Sequence, residues 1–427
     1  MAATAPRPLP ASNPYLNPEL SRFVGSMEGV PDWTDPAETP EERAQRSGWR
    51  ARGHSLLEMA GQLLPGLVLA FALALSAREA SVWLGSHAFG LEKSPVSPIL
   101  LAILIGLLIR NTVGLPRVYE LGLQLSLKRL LRVGVALLGI RLSLGSVGAI
   151  GLVALPVVTC CIATALLLVT WISRLLGLPP RLGTLIAVGT AICGNTAIIA
   201  TGPVIDADED EISYAVGTIT VFGLIALITY PFLSHSIFGG DAQLAGLFLG
   251  TAIHDTAQVA GAGLLYLQQY GAPEALDTAT VTKLLRNLFM VAVIPLMAIY
   301  YHRSDSDRSD PDRAATKIPP LMQMVPFFVF GFLALVLVRT LGDLTEVPFA
   351  GALSAAAWEA TIGGMSVISA WCLTVAMAAV GLGTNLRQLR TLGLKPMGVG
   401  LAAALTVGLV SALLIGTLAP YMTQLAR

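Results

Sequence analysis

Charged side chains are scarce in this chain. Asp, Glu, Lys and Arg make up 13% of its 427 residues, about half the share found in an ordinary soluble protein. The formal net charge is zero, so the sequence offers no basic surface for nucleic acid, and we expect no nucleic-acid partner. The composition therefore argues against both a soluble domain and a nucleic-acid-binding protein.

Cysteine and the usual catalytic motifs are also lacking. The four cysteines lie within apolar stretches and form neither a disulfide framework nor a CxxC metal pattern. The chain has no HExxH, paired-aspartate or GxSxG motif to carry an enzymatic reaction. We predict a protein that is not an enzyme and that carries no metal and no cofactor.

Apolar residues are abundant instead. They make up 54% of the chain, and the mean hydropathy is +0.70, values typical of an all-α polytopic membrane protein. A spanning helix needs about 20 mainly apolar residues, and we count about eleven such segments. They are 63–81, 97–112, 133–144, 149–175, 183–204, 212–232, 244–267, 281–301, 321–338, 368–384 and 397–419.

The N-terminal segment 1–61 differs from the rest. It is rich in Pro, Ala, Glu and Arg, and 40–59 could form an amphipathic helix on the bilayer surface. We predict a cytoplasmic tail over 1–61 and a transmembrane transporter domain over 62–427. A regulatory or dimer-forming role for the tail, which would make the protein a homodimer, stays open.

The distribution of basic residues predicts the orientation. With eleven crossings, every basic cluster falls on one side of the membrane, for example Arg110–Arg132 and Arg174–Arg181. Basic loops face the cytoplasm, so the N-terminus is predicted inside and the C-terminus outside. The acidic loop 206–211 then falls on the outer side.

Two short strings nearly repeat each other within apolar segments. Positions 189–197 read GTAICGNTA, and 250–257 read GTAIHDTA. Polar and ionisable groups at such depth persist mainly where they line a cavity or pathway. Helices interrupted by glycine and polar residues are typical of a transporter's central site. We therefore expect two broken helices, which can cross, around one midplane site.

Each string supplies candidate site residues. His254 and Asp255 are the titratable pair and are predicted to bind the coupling ion. Backbone N–H groups freed at a helix break can hold an anion. The predicted substrate-binding residues are Thr190, Cys193, Gly194, Asn195, Thr196, Thr256, Gln258 and Arg286. For each there is an alternative in simple helix packing; Cys193 in particular is expected to pack and not to react.

A second internal similarity favours inverted repeats. GIRLSL at 139–144 and GLGTNL at 381–386 each close a span, and the two spans run in opposite directions, as inverted repeats require. The GTAI segments, in contrast, come out parallel. Either they are not symmetry mates, or one re-enters the membrane, or the span count is wrong between them.

Four ordered blocks resemble a known family. They contain GTAICGNTA, GTAIHDTA, TVTKLLRN and LTVAMAAVGLGTNL and are similar to the bacterial YeiH-like family, whose members are named sulfate exporters. The resemblance implies a multi-pass transporter of the bacterial inner membrane. It also implies kinship with the broken-helix folds of bile-acid symporters and sodium–proton antiporters. Where the family has small residues after ICG, this chain has Asn195 and Thr196, and the extra amide could change which anion fits.

These observations combine into one functional hypothesis. We expect a secondary active transporter of a small sulfur-containing anion, such as sulfate, sulfite or a small sulfonate, with a proton as coupling ion and the lipid bilayer as its surroundings. The alternatives are a sodium-coupled carrier of organic anions and a passive anion channel.

Overall fold

The computed structural model describes residues 49–88, 94, 96–304, 326–345, 347–351, 353–386 and 393–425. Contacts divide the chain into two compact units, Met1–Gly61 and Gln62–Arg427. Of the tail predicted over 1–61, residues 1–48 lie outside the described part. So does the first half of the predicted amphipathic helix, while its second half is helical from Trp49 onward.

Regular structure in the described residues is helical, and we number the α-helices α1 to α16 in chain order. Their bounds are α1 Trp49–Trp83, α2 Pro98–Thr112, α3 Glu120–Leu125, α4 Leu131–Leu138, α5 Leu144–Thr164, α6 Thr170–Leu175, α7 Pro180–Ala191, α8 Asn195–Thr201, α9 Glu209–Ile237, α10 Ala242–Ala252, α11 Thr256–Tyr270, α12 Pro273–Leu288, α13 Met290–Ser304, α14 Phe327–Gly342, α15 Ala355–Gly383 and α16 Leu394–Leu425. Single π turns join α3 to α4 and α5 to α6, so each of these pairs is one continuous helix.

Six helical stretches in the described residues are long and apolar enough to cross a membrane. They are Ala60–His87, Leu144–Leu175, Glu209–Ile237, Pro273–Tyr301, Ala355–Gly383 and Leu394–Thr417. Shorter apolar helices add to them, and large apolar side chains such as Leu152 and Leu405 are exposed on the outside. The chain is an all-α polytopic membrane protein, as predicted, although helix length alone does not yield eleven crossings.

Helix α10 runs parallel to α12. Gly246 packs near the start of α12, where an added Cβ would lie 2.6 Å from the carbonyl oxygen of Ala275. Gly250, one turn further along α10, packs against Thr282, which is also further along α12. Both helices therefore advance in the same direction at van der Waals distance.

Helix α11 runs the opposite way along the same α12. At its start, Thr256 accepts a hydrogen bond from Asn287 at the end of α12. Further along α11, Gly263 packs on Leu276 near the start of α12. Since α10 and α11 are antiparallel to each other, they form a helical hairpin whose tip is 253–255. We call it hairpin 2.

Helices α7 and α8 also fold back on each other. An added Cβ on Gly189 would lie 2.7 Å from Cδ1 of Ile198, whereas nine residues of unbroken helix would separate the two by about 13 Å. At the other end, Thr184 bonds Tyr301 at 2.7 Å, and Ile205 belongs to the apolar cluster on which Tyr301 packs. Both ends of this second hairpin, which we call hairpin 1, therefore lie together, and its tip is 192–194.

The two hairpins enter from opposite faces of the protein. Helix α9 begins where hairpin 1 ends and finishes where hairpin 2 begins, and its 29 residues span about 43 Å. That length exceeds the roughly 30 Å hydrocarbon core of a bilayer. The bases of the hairpins are thus separated by the membrane thickness, and their tips meet between them.

The hairpins correct the sequence-based topology. Segments 183–204 and 244–267 were each counted as one crossing, but each turns back at its break. The parallel direction of the two GTAI segments arose from that count, and re-entry, one of the alternatives considered, resolves it. The acidic loop 206–211 consequently lies on the same face as Arg174 and Arg181, not on the opposite one.

Inverted repeats are visible in two places. Hairpin 1 is followed by α9 and hairpin 2 by α12 and α13, and these long helices leave from opposite faces. The predicted mates are GIRLSL, which follows α4, and GLGTNL, which begins at the end of α15. The two helices are antiparallel, because Gly134 of α4 packs on Leu373 whereas Leu127, before α4, lies near Gly383 at the end of α15.

The helices of the second unit form two groups. A scaffold group contains α1–α4, α14 and α15, with close backbone contacts such as Gly106 against Gly381. A hairpin group contains α5–α13 and α16, joined by contacts such as the 2.6 Å hydrogen bond between Thr251 and Ser411. Helix α11 of hairpin 2 packs on α2 and α15 across the boundary, so the hairpin tips lie close to the junction of the groups.

Candidate functional site

The two hairpin tips touch at Gly194 and Asp255. Gly194 has φ +69° and ψ −124°, a conformation that favours glycine. An added Cβ there would lie 3.0 Å from Oδ2 of Asp255 and 3.1 Å from its Cα. The first GTAI string thus needs its glycine both for backbone conformation and for the close approach of the second string.

Lys283 of α12 binds the C-terminal ends of both inbound half-helices. Its side chain is buried, and Nζ donates to the carbonyl oxygens of Ile192 at 2.8 Å, of Ile253 at 3.0 Å and of His254. An ammonium group has three donors, so all three are used. Carbonyl groups at a helix C-terminus have no intrahelical partner and carry partial negative charge, which explains why a cation is bound there.

Arg286, one turn further along α12, repeats this arrangement. Nε donates to Ala191 O at 2.6 Å, Nη1 to Thr251 O at 2.6 Å and to Ile253 O at 3.2 Å, and Nη2 to Thr190 O. The guanidinium is fully buried. Unpaired burial of a cation would cost several kcal/mol, and these charge-assisted bonds offset that cost. Lys283 and Arg286 therefore bind the two tips to α12.

The N-terminal ends of the outbound half-helices meet a carboxylate. Asp255 is the N-cap of α11: Oδ1 accepts from Ala257 N at 2.8 Å, and the backbone N–H of Asp255 donates to Oε1 of Gln258 at 3.3 Å. The backbone N–H of Asn195, at the start of α8, also faces this carboxylate. One side chain thus caps α11 and lies beside the N-terminal end of α8, where the helix dipoles favour negative charge.

Charge at the tips is segregated by helix end. Two cations, Lys283 and Arg286, bind carbonyl oxygens on one side, and one anion, Asp255, binds N–H groups on the other. With His254 neutral, one formal positive charge remains. The tips therefore favour an additional anion, or a second negative charge, over another cation.

Two of the predicted polar residues turn toward α9. Nδ2 of Asn195 donates to Thr220 Oγ1 at 3.2 Å, and Nε2 of Gln258 donates to Thr220 O at 3.3 Å. Gly223 makes room for the Gln258 amide, since an added Cβ would lie 1.9 Å from its Oε1. Thr220 was not among the predicted site residues, although a hydroxyl in the middle of an apolar helix was a signal that could have found it.

A small cavity, with room for about one water molecule, lies beside the start of α11. Its lining joins hairpin 2, α12 and the scaffold helix α4, and consists of Val135, Thr256, Val259, Ala260, Thr280, Lys283 and Leu284. Thr256 is half-buried and receives a hydrogen bond from Asn287 Nδ2 at 3.2 Å. The Oδ1 atom of that amide is buried and has no partner among the described residues. The cavity thus brings hydroxyl and amide groups to the α11 N-terminus, at the boundary of the two helix groups.

His254, in the tip of hairpin 2, and Thr190, near the end of α7, have buried polar atoms without a hydrogen-bond partner among the described residues. Both residues are fully buried, and neither ring nitrogen of His254 nor the Thr190 hydroxyl has a partner within the described part of the chain. Cys193 is buried with Sγ 3.7 Å from the sulfur of Met290. Thr196, in contrast, is exposed.

The structure brings four of the ten predicted residues together at the tips. Gly194, Asn195, Asp255 and Thr256 meet at the tips. Arg286 instead lies below them, bonded to backbone carbonyls, so its predicted contact with an anion stays a prediction. Among the described residues, no group of three or more His, Cys, Asp and Glu side chains could hold a metal ion.

The chain is similar to one family model and to several membrane proteins of bacteria. A family model described as conserved hypothetical protein 698 matches residues 65–400. A UPF0324 membrane protein of Agrobacterium fabrum, Atu0671, is 33% identical over 367 residues, which cover 85% of this chain and 94% of that protein. A UPF0324 membrane protein of Fusobacterium nucleatum is 30% identical over 349 residues, 82% of this chain and 96% of its own length. No solved structure matches this chain.

Proposed function

We propose that this chain, which belongs to the UPF0324 membrane-protein family, is a secondary active transporter of a small anion. That family is described as conserved hypothetical protein 698 and is the same as the YeiH-like family that the motifs resemble. The protein works in the bacterial inner membrane with its N-terminus in the cytoplasm. Its substrate is a sulfur oxyanion, such as sulfate, sulfite or a small sulfonate, and the coupling ion is a proton. It is a carrier and not an enzyme.

The contact of two oppositely oriented hairpin tips is the observation that carries this proposal. Non-helical backbone at membrane depth is tolerated only inside protein or beside a water-filled cavity. Transporters place their substrate and coupling-ion sites at the midplane between inverted repeats, where half-helix N-termini point toward anionic groups. Gly194 and Asp255 lie at such a point, and the cavity beside Thr256 lies next to it.

Asp255 supports coupling by a proton. Its carboxylate occupies the N–H groups that would otherwise attract a substrate anion. A proton on Asp255 removes that negative charge and leaves two buried cations facing the tips, so anion and proton bind together. Release of the proton restores the carboxylate cap and expels the anion. In this scheme His254, whose ring nitrogens lack partners among the described residues, passes the proton to Asp255.

Movement of the hairpin group against the scaffold group would then expose the site to each side in turn. The cavity supports this step because it lies at the boundary, between Val135 of the scaffold group and Thr256 of hairpin 2. A passive channel, the alternative, would not accumulate its anion against a gradient.

The second alternative, a sodium-coupled carrier of organic anions, has less support. Sodium in transporters is coordinated by unwound carbonyl groups and half-helix C-terminal ends. Here those carbonyl oxygens accept hydrogen bonds from Lys283 and Arg286. A dissociable sodium ion would have to compete with two tethered cations.

The test is radiolabelled sulfate uptake into liposomes that contain the purified protein, with and without an inward proton gradient. Asp255→Asn keeps a hydrogen-bonding cap but loses the titratable carboxyl. We expect gradient-stimulated uptake by the intact protein and no gradient effect in the variant. The matched control is Asp241→Asn, at the exposed N-cap of α10, where the carboxylate likewise accepts from two backbone N–H groups; it should transport normally.

The possible outcomes test the coupling residue, the coupling ion and the substrate class separately. Normal gradient-driven transport by Asp255→Asn would refute the coupling role of Asp255. Stimulation by a sodium gradient at fixed pH would favour the organic-anion carrier. If sulfate, sulfite and small sulfonates are all left untransported under either gradient, the substrate class is wrong.

A further inference from the structure

The ammonium group of Lys283 lies in a cage of three backbone carbonyl oxygens. Ile192 O comes from the tip of hairpin 1, whereas Ile253 O and His254 O come from the tip of hairpin 2. None belongs to α12, the helix that carries Lys283. All three lie at or just beyond the ends of inbound half-helices, where carbonyl groups lack intrahelical partners. The cage is therefore assembled only when both tips dock on α12.

Such a cage has the chemistry of a monovalent-cation site. Convergent backbone carbonyls replace the hydration shell of an alkali ion, and half-helix C-termini supply such oxygens in transporters. We infer that the oxygens of Ile192, Ile253 and His254 form a monovalent-cation site in which the tethered ammonium of Lys283 is the resident ion. The tips then dock without any cation from solution.

The charges around the cage set what could replace the ammonium. Arg286 faces it from the same helix and repels a guest cation, whereas Asp255 of the opposite tip attracts one. His254 contributes its carbonyl oxygen, and the thiol of Cys193 also lies close by. Since Lys283 itself carries one positive charge, a single monovalent guest reproduces the native balance, and a divalent one does not.

The side chain whose ammonium fills the cage also borders the cavity beside α11. The Lys283 side chain contributes to the cavity lining, together with Thr256 and Thr280. Shortening it to alanine removes the tethered ion and opens a path for a small cation from the cavity to the three oxygens. Methionine in its place removes the charge but keeps the path filled.

The inference is tested by thermal unfolding of the purified full-length protein in detergent, a readout independent of which anion is transported. Lys283→Ala should lower the melting temperature by roughly 5–10 °C in a buffer whose sole monovalent cation is tetramethylammonium. Sodium, potassium or methylammonium at equal ionic strength should restore at least half of this loss. Lys283→Met should lose stability without being rescued, and Lys395→Ala, at an exposed lysine, should behave like the intact protein in every salt.

The intact protein provides a second, independent measurement. Its melting temperature should be the same in sodium, potassium and tetramethylammonium salts, because Lys283 fills the cage. The inference is overturned if the intact protein is stabilised by sodium or potassium more than by tetramethylammonium. The inference is also overturned if the melting temperature of Lys283→Ala is the same in all salts. It is overturned as well if sodium, potassium or methylammonium stabilises Lys283→Met as much as Lys283→Ala. If sulfate uptake fails while the rescue succeeds, the proposed substrate is wrong but the cation site stands.

Discussion

Replacement of Arg286 by methionine separates two roles for this side chain. The sequence suggested that it contacts a transported anion, whereas the structure shows it bonded to four carbonyl oxygens of the hairpin tips. Methionine is of similar length and apolar, so it fills the space without donating hydrogen bonds. A structural role predicts lost stability, and an anion-binding role predicts lost affinity in a stable protein.

The expected magnitude follows from the bonds that disappear. Ile253 O keeps its bond to Lys283, but the oxygens of Thr190, Ala191 and Thr251 lose the Arg286 donor. Each buried acceptor left unpaired costs about 1–3 kcal/mol. Three such acceptors sum to about 3–9 kcal/mol, relief of the buried guanidinium charge offsets part of this, and we expect a net loss of roughly 3–5 kcal/mol.

The assay is equilibrium unfolding in mixed micelles, with sulfate binding measured on the same preparations. Arg339→Met is the matched control, because Arg339 is partly exposed and pairs with Asp343 four residues later on the surface. Such pairs contribute about 0–1 kcal/mol. The reasoning is refuted if Arg286→Met unfolds like Arg339→Met. Lost sulfate binding at unchanged stability would restore the anion contact that the sequence suggested.

Two further predictions concern the tips and the topology. Gly194→Ala should destabilise the protein by about 2–4 kcal/mol, because the positive φ is strained for alanine and the added Cβ would lie 3.0 Å from Oδ2 of Asp255. The control is the same substitution at a glycine in an exposed part of a helix. The prediction is contradicted if Gly194→Ala shifts the unfolding midpoint less than this control does. Single cysteines at Leu176, Ala207 and Gly239, in a background without the native cysteines, report the topology through an impermeant maleimide. We expect Leu176 and Ala207 to react from one side and Gly239 from the other, whereas reaction of Leu176 together with Gly239 would mean that hairpin 1 is a crossing after all.

The sequence by itself determined the class of protein and the positions of both helix breaks. Scarce charge and long apolar runs indicate that the chain lies in a lipid bilayer. The hydrocarbon region offers no hydrogen-bond partners to backbone groups, so the spanning segments form helices. The breaks were predictable because Gly194, Asn195, His254 and Asp255 interrupt apolar helices with groups that are costly at that depth. The same local signals indicated that the two strings are related.

Only the tertiary structure decided what each break does. A helix that kinks and continues and one that turns back have the same composition around the break. What distinguishes them is packing against a third element, here α12, whose Thr282 and Leu276 face the two arms of hairpin 2. Hydropathy measures the length of an apolar segment but not whether the chain turns back within it. Both hairpins were therefore counted as crossings, and the acidic loop 206–211 was placed on the wrong face.

The partners of the charged residues were equally beyond the sequence. Lys283 and Arg286, a turn apart on one helix face, could be read as an attraction for anions. Their actual acceptors are backbone carbonyls 29 to 96 positions away in the chain, and a backbone carbonyl leaves no trace in residue identity. Because every residue has one, only the fold decides which carbonyls lose their helical partners and converge on a cation. The same holds for Asp255, which faces the N–H of Asn195 and contacts Gly194 only because two tips from opposite faces meet.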